Sequence, residues 1–295
     1  MEARGKSDAQ GGESGLPVWR CCDRRIPLVP ARIMGIVNVT PDSFSDGGKW
    51  FDADRAVAHG LQLVAEGADI LDIGGESTRP GAAEVDEEAE ARRVLPVIRA
   101  LAAQSQVPLS IDTRRAAVAR AAVAAGACIV NDIMPFAGDL AMAAAVRETG
   151  AGLVLMHMRG TPETMGQLAA YGDVVSAVAA MLQAALSEAA EQGIPRECVV
   201  IDPGIGFAKT TAHNVAVLAA LGRLVRLAPV MVGASRKRFI GELCGEPLAE
   251  ARVGGSVGAA VWSVLQGASI VRVHDVKATR QALAVVRALA DREGV

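Results

Sequence analysis

The sequence predicts a single α/β domain, a (β/α)8 TIM barrel, preceded by a short N-terminal extension. Three observations predict it. Eight short apolar runs alternate with Ala-rich stretches of helical periodicity from residue 32 to the C-terminus. Glycines stand where those helices should end, at Gly67, Gly126, Gly150, Gly193 and Gly267. Each apolar run also finishes in polar or ionisable residues. An open doubly wound sheet is the alternative, and the count of eight favours closure. No linker or composition shift marks a second catalytic domain.

In order along the chain, residues 1–15 (MEARGKSDAQGGESG) carry too few apolar groups to bury and read as a disordered tail. Residues 16–31 mix Val18, Trp19, Cys21 and Ile26 with charge and proline, the pattern of a short hairpin or cap packed under the main domain. The boundary is drawn at 1–31 for the tail and cap and 32–295 for the barrel. Strands are expected at 33–38, 69–74, 108–112, 128–133, 152–157, 199–202, 229–234 and 270–274. The helices between them fall at 53–66, 86–104, 115–126, 139–149, 172–192, 212–226, 248–266 and 276–292. After the first strand, Asn38, Thr40, Pro41, Asp42, Ser43, Ser45, Asp46 and two glycines form a long polar loop that also carries Phe44. Such a loop at a strand's C-terminal end reads as a functional lid.

Composition sets the outer bounds. The 295 residues are 51% hydrophobic but only 3% aromatic, so Ala, Val, Ile and Leu must fill the core. A net charge of -3 and a pI of about 5.9 give no general attraction to nucleic acid or an anionic membrane. The five cysteines form no CxxC pair and are odd in number, which fits free thiols in a reducing cytoplasm better than a disulfide framework. The N-terminus lacks the apolar core of a signal peptide, and no uninterrupted apolar stretch is long enough for a bilayer.

The strand ends carry the chemistry. They deliver Asn38, then Asp72 through Glu76 to Pro80, then Asp112, Asn131 with Asp132, and His157 with Arg159. Asp202, Lys237 and the pair Arg272 and His274 complete the rim. Asp112, Asn131 and Asp202 are fit to read an N–H-rich heterocycle, since a carboxylate accepts paired donors from an amidine-like edge. Arg79, Lys237, Arg272 and His274 suit a polyphosphate. The i, i+2 spacing of Arg272 and His274 places both on one strand face. Asn38 offers a neutral oxygen to Mg²⁺, which keeps waters and shares phosphate oxygens. A zinc-hydrolase reading would enlist His157, His274, Asp112 and Asp202, but Asn38 stands where an HxH pair should be, and Lys237 is left without a role. There is no nucleophile elbow, P-loop or dinucleotide fingerprint in its required context.

From Arg32 onward, MGIVNVTPDSFSDGG (34–48), ADILDIGGESTRPGA (68–82), SIDTRR (110–115), IVNDI (129–133), LMHMRGTPETM (155–165), IDPGIGFAKT (201–210), GASRKRFIG (233–241) and RVHDV (272–276) stand in order at strand ends. With these segments the chain resembles the bacterial dihydropteroate synthase family. The resemblance implies an enzyme of folate biosynthesis that joins 6-hydroxymethyl-7,8-dihydropterin pyrophosphate to p-aminobenzoate. By position, Asp112, Asn131, Asp202, Lys237 and Thr78 would meet the pterin, with Met156 and Phe207 as pocket wall. Arg272 and His274 would take pyrophosphate, and Asn38 would take Mg²⁺. Phe44, Arg79 and Pro80 would close over p-aminobenzoate on two loops, with Asp46 ordering the first. The resemblance also implies a homodimer through the later helices. Two departures stand out. Gly166 separates Met165 from Gln167, and Arg238 follows Lys237 where many relatives have Ser, which bears on any side-chain contact there to the benzoate carboxylate. A pterin-binding methyltransferase barrel and a catalytically silent pterin-binding paralogue are the competing readings. Neither needs the pyrophosphate clamp that this chain keeps.

Overall fold

The structure, a computed structural model, describes residues 17–39, 49–76, 85–135, 139–161 and 163–293. The expected tail, 1–15, therefore lies outside the described residues. The chain enters as an antiparallel hairpin, β1 (Val18–Cys21) and β2 (Arg24–Pro27). Eight parallel strands follow: β3 (Arg32–Asn38), β4 (Ile70–Gly74), β5 (Leu109–Asp112), β6 (Ile129–Asp132), β7 (Gly152–Met156), β8 (Val199–Asp202), β9 (Met231–Val232) and β10 (Ile270–Val273). They pair in the order β8-β7-β6-β5-β4-β3-β10-β9, and a single parallel bridge, Ile201 to Val230, closes the ring. The fold is the expected barrel.

The helices are α1 (Lys49–Ala65), α2 (Glu87–Gln104), α3 (Ala116–Ala124), α4 (Met142–Thr149), α5 (Val174–Glu191), α6 (Thr211–Ala219), α7 (Leu221–Val225), α8 (Arg238–Cys244), α9 (Val253–Leu265) and α10 (Val276–Glu293). All five glycines expected at helix ends have positive φ. Two expectations are corrected. The stretch 212–226 is two helices meeting at Ala220, and the strand expected over 229–234 shortens to two residues. After Lys237 a further helix, α8, runs to its stop at Gly245. Helix α5 is apolar and long enough to cross a bilayer by composition, yet Val178 and Leu182 on its inner face are fully buried. It is a core helix of this barrel.

Strand alternation sorts the core into two layers. Odd-out positions such as Ile33, Leu71, Ile111, Val130, Leu153, Ile201 and Val271 pack under the helices. The intervening positions Met34, Ile70, Ile129, Val154, Val200, Met231 and Ile270 point into the barrel and fill its floor. Trp19, Cys21, Ile26 and Leu28 of the hairpin join that floor cluster from below. Trp19 is held by its indole N–H, which donates to the Cys198 carbonyl at 2.8 Å. Gly152 is required at the contact, since a Cβ there would lie 2.4 Å from Cys21 Sγ. The five cysteines are all free thiols.

Candidate active site at the C-terminal rim

Two residues beyond the floor, the inward positions become polar. Asp72 follows Ile70, Asn131 follows Ile129, Asp202 follows Val200 and Arg272 follows Ile270, each on the same strand face. Asp72 is fully buried. Its Oδ2 accepts from Arg272 Nε at 2.5 Å and from Asn131 Nδ2 at 3.1 Å, while Oδ1 has no hydrogen-bond partner among the described residues. Arg272 Nη2 donates to Asp112 Oδ2 at 2.7 Å. One guanidinium on β10 thus ties together carboxylates from β4 and β5. Burial pushes the Asp112 carboxyl up to about 7, with Asp72 adding to the rise against the pull of Arg272.

The β8 side is built around a tight loop. Asp202 Oδ1 accepts from the Gly204 N–H at 2.7 Å, and burial raises its carboxyl above the usual range even with Lys237 nearby. Gly204 has φ 64 and passes so close to His157 that a Cβ would stand 2.0 Å from its carbonyl oxygen, which only glycine permits. Lys209 is buried beneath, donating to the Gly204 and Phe207 carbonyls at 2.9 and 3.1 Å and to His157 Nδ1 at 2.9 Å. Burial pulls Lys209 down to about 7 and His157 to about 3, so the imidazole is the neutral acceptor. Asn214 Oδ1 receives the Gly206 N–H at 2.7 Å. Lys237 donates to the Ile205 carbonyl and lies 4.5 Å from the Phe207 ring centroid. Burial lowers it to about 8, partly offset by Asp202. Met156, Met158, Met165, Ile133 and Ala208, with Phe207 against them, form an apolar wall.

The sequence-predicted residues separate into groups. Asp112, Asn131, Asp202, Lys237 and Arg272 are linked by contacts or charge at the barrel centre, with Met156 and Phe207 beside them. Arg272 faces inward because its alternation follows Ile270, and two carboxylates hold it there. His274 parts from it because β10 ends at Val273. Its Nδ1 meets Ser235 Oγ at 3.0 Å, and its ring lines a cavity of about 380 Å³ with His59, Arg236 and Lys277 on the helix side. His157 and His274 are engaged separately, so the zinc reading loses its ligand pair. The Arg238 side chain is 85% exposed and pairs with Glu242 along α8 at 2.9 Å. Asn38 stands half-buried at the end of β3. Among the described residues no cluster of three or more His, Cys, Asp or Glu could hold a metal.

Phe44, Asp46, Thr78, Arg79 and Pro80 lie outside the described residues. The two ends of the segment that carries Thr78 to Pro80 are pinned. Arg115 donates to Glu76 at 2.8 Å, to Glu90 at 2.6 Å and to the Val85 carbonyl, while Glu76 accepts the Val85 N–H at 3.2 Å. Sequence reasoning left Asp72 and Lys209 without roles, although both sit in segments it singled out. Arg236 was likewise passed over. It pairs with both Asp275 oxygens, at 3.0 and 2.5 Å, and joins the loops after β9 and β10.

Residues 34–274 match the pterin binding enzyme family. The dihydropteroate synthase of Neisseria meningitidis serogroup B is 48% identical over 278 residues, covering 92% of this chain and 97% of that protein. A structure of the Xanthomonas albilineans dihydropteroate synthase with 4-aminobenzoic acid superposes with a TM-score of 0.89 at 50% identity, covering 93% and 98% of the two chains. The same enzyme in complex with 7,8-dihydropteroate gives 0.85 at 48% identity, covering 92% and 98%.

Proposed function

We propose how this rim works from the premise that the chain belongs to the pterin binding enzyme family and, within it, to the dihydropteroate synthases. It is a transferase of folate biosynthesis that condenses 6-hydroxymethyl-7,8-dihydropterin pyrophosphate with p-aminobenzoate, giving 7,8-dihydropteroate and pyrophosphate. The methyltransferase barrel is thereby set aside. The observation that carries the site reading is the ring of buried acceptors fastened to Arg272 at the mouth of an apolar-floored barrel.

In this reading Asp202 and Asn131 accept from the N–H-rich edge of the pterin, and Asp112 stands ready on the neighbouring strand. Met156 and Phe207 cover a ring face, with Lys237 at its border. Arg272 keeps the acceptors aligned and brings positive charge toward the departing pyrophosphate. His274 stands further out, in a cavity lined by Arg236 and Lys277 and by the carboxylates Glu66 and Asp275. We assign Mg²⁺ to Asn38, whose single neutral oxygen fits an ion carried mainly by waters and phosphate oxygens. The ion would neutralise charge on the leaving group.

Chemistry then runs by departure before attack. The C–O bond breaks and its electron pair leaves with pyrophosphate. The resulting dihydropterin cation is stabilised by the Asp202 and Asp112 carboxylates. The neutral aniline nitrogen forms the new C–N bond and releases its proton to solvent. Two further expectations rest on this structure. Trp262 and Leu265 on α9, and Val285 and Leu289 on α10, are exposed apolar groups that fit a homodimer through the later helices. Five free thiols fit a cytoplasmic enzyme. The test is pyrophosphate release, which should require both substrates together with Mg²⁺. Release that ignores p-aminobenzoate, or none at all, defeats the assignment. Oxygen-18 in the bridging position should scramble on the enzyme if the C–O bond breaks first, and its retention would favour direct displacement.

A further inference from the structure

We propose that Asp72 is a positioning residue that fixes which end of the Asn131 amide the pterin meets. The inference rests on the synthase reading of this rim. An asparagine amide has a donor end and an acceptor end of nearly equal shape, so its neighbours decide which way it points. Here the neighbour is a fully buried carboxylate, which accepts only. Asp72 Oδ2 takes Asn131 Nδ2 at 3.1 Å, and the same oxygen takes Arg272 Nε at 2.5 Å. With its NH₂ bound to Asp72, Asn131 keeps its oxygen as the acceptor left for a ring N–H.

Turning the amide over would set oxygen against oxygen in a buried site and leave donor capacity unmet, a loss that low dielectric makes severe. Arg272 reinforces the choice, since it anchors Asp72 and also reaches Asp112 at 2.7 Å. The chain β10–β4–β6 is therefore braced across the barrel by one carboxylate. Asp72 Oδ1, buried without a partner among the described residues, has capacity for one more donor from substrate or an ordered water. Nothing in this arrangement touches the second substrate, so its effect should fall on the pterin alone.

The test is an exchange. Asp72→Asn, Asn131→Asp and the double variant Asp72→Asn/Asn131→Asp are compared with wild type by calorimetric titration with the pterin pyrophosphate. Steady-state KM for both substrates and circular-dichroism melts are measured alongside. Each single change should weaken pterin binding about 10- to 100-fold and leave the KM of p-aminobenzoate within about twofold. In the double variant the donor stands at position 72 and a carboxylate oxygen at 131 again faces the ring. Pterin binding should recover at least about tenfold over Asn131→Asp. The exchange conserves the number of carboxylates and amides, so a folded double variant no better than its worse parent overturns the proposal. Unchanged pterin affinity in Asp72→Asn overturns it as well. Failure of the wild type itself to bind the pterin would strike the synthase reading instead.

Discussion

The floor and the rim of the barrel are built on the same strands and the same inward face, two residues apart. Ile70, Ile129, Val200 and Ile270 lie only about 6–7 Å along their strands from Asp72, Asn131, Asp202 and Arg272. The floor is dry, filled by branched side chains and plugged by Trp19 and its hairpin. The rim holds three carboxylates, a guanidinium and a lysine, with Asp72 and Asp202 buried and the others half-buried. Removing apolar surface from water stabilises the first layer, whereas the second holds charged groups whose burial opposes folding. The molecule thus separates stability from chemistry by a single step of the pleat.

The sharpest way to break this division is at the plug. Trp19→Ala should cost about 3–5 kcal/mol of stability, measured by urea denaturation, because it empties the largest side chain under the floor. The kcat/KM of the folded fraction should stay within about twofold. A large fall in turnover at unchanged stability would mean the floor is not separate from the site.

Asp202→Asn should do the reverse. Pterin affinity should fall by about 2–3 kcal/mol, read by titration calorimetry, as a charge-assisted acceptor is lost. The melting temperature should barely move, since the asparagine oxygen can still accept the Gly204 N–H. Equal affinity in variant and wild type would remove Asp202 from the pterin edge.

Asp112 sharpens the comparison through pH. Its carboxyl is raised to about 7 in the fold, so the folded state holds a proton that the unfolded chain has released by about pH 4. Its contribution to stability is complete below the unfolded value and is lost as pH rises toward 7. Asp112→Asn should therefore gain about 1–2 kcal/mol relative to wild type between pH 5 and pH 8. Parallel denaturation curves at the two pH values would contradict the shift.

The smallest effect belongs to neither layer. Arg120 and Glu148 pair at 2.7 Å on exposed helix surface, and Arg120→Ala should change stability by less than about 1 kcal/mol and activity not at all. A larger change would show that the outer helices feed the site.

Much of this division was legible beforehand. The apolar runs located all eight strands because buried parallel strands are short and β-branched, and the polar residues at their ends located the rim. What stayed hidden was pairing across the ring. Arg272 is 200 residues from Asp72 and 160 from Asp112, separations at which no sequence pattern ties one side chain to another. Only closure shows that it faces two carboxylates. The separation of His274 from Arg272 was hidden for a local reason, since alternation applies only while a strand lasts and β10 stops one residue earlier. Lys209 was passed over because a lysine in a Gly-rich loop reads as solvent-exposed, whereas here three acceptors bury it.

The closure of the ring has a mechanical consequence. Between β8 and β9 the barrel is fastened by one bridge and by the Ile201 N–H to Pro229 carbonyl bond at 2.9 Å. Asp202 ends the strand on one side of that seam and Lys237 follows the strand on the other. A pterin held by both, as proposed above, would be a suture drawn across that seam. By mass action, ligand at a hundredfold excess over its Kd holds the joint shut by about 2.7 kcal/mol. Amide exchange at Ile201 should slow accordingly when the pterin is bound, and the turnover cycle becomes a periodic tightening and slackening of the barrel's own hoop.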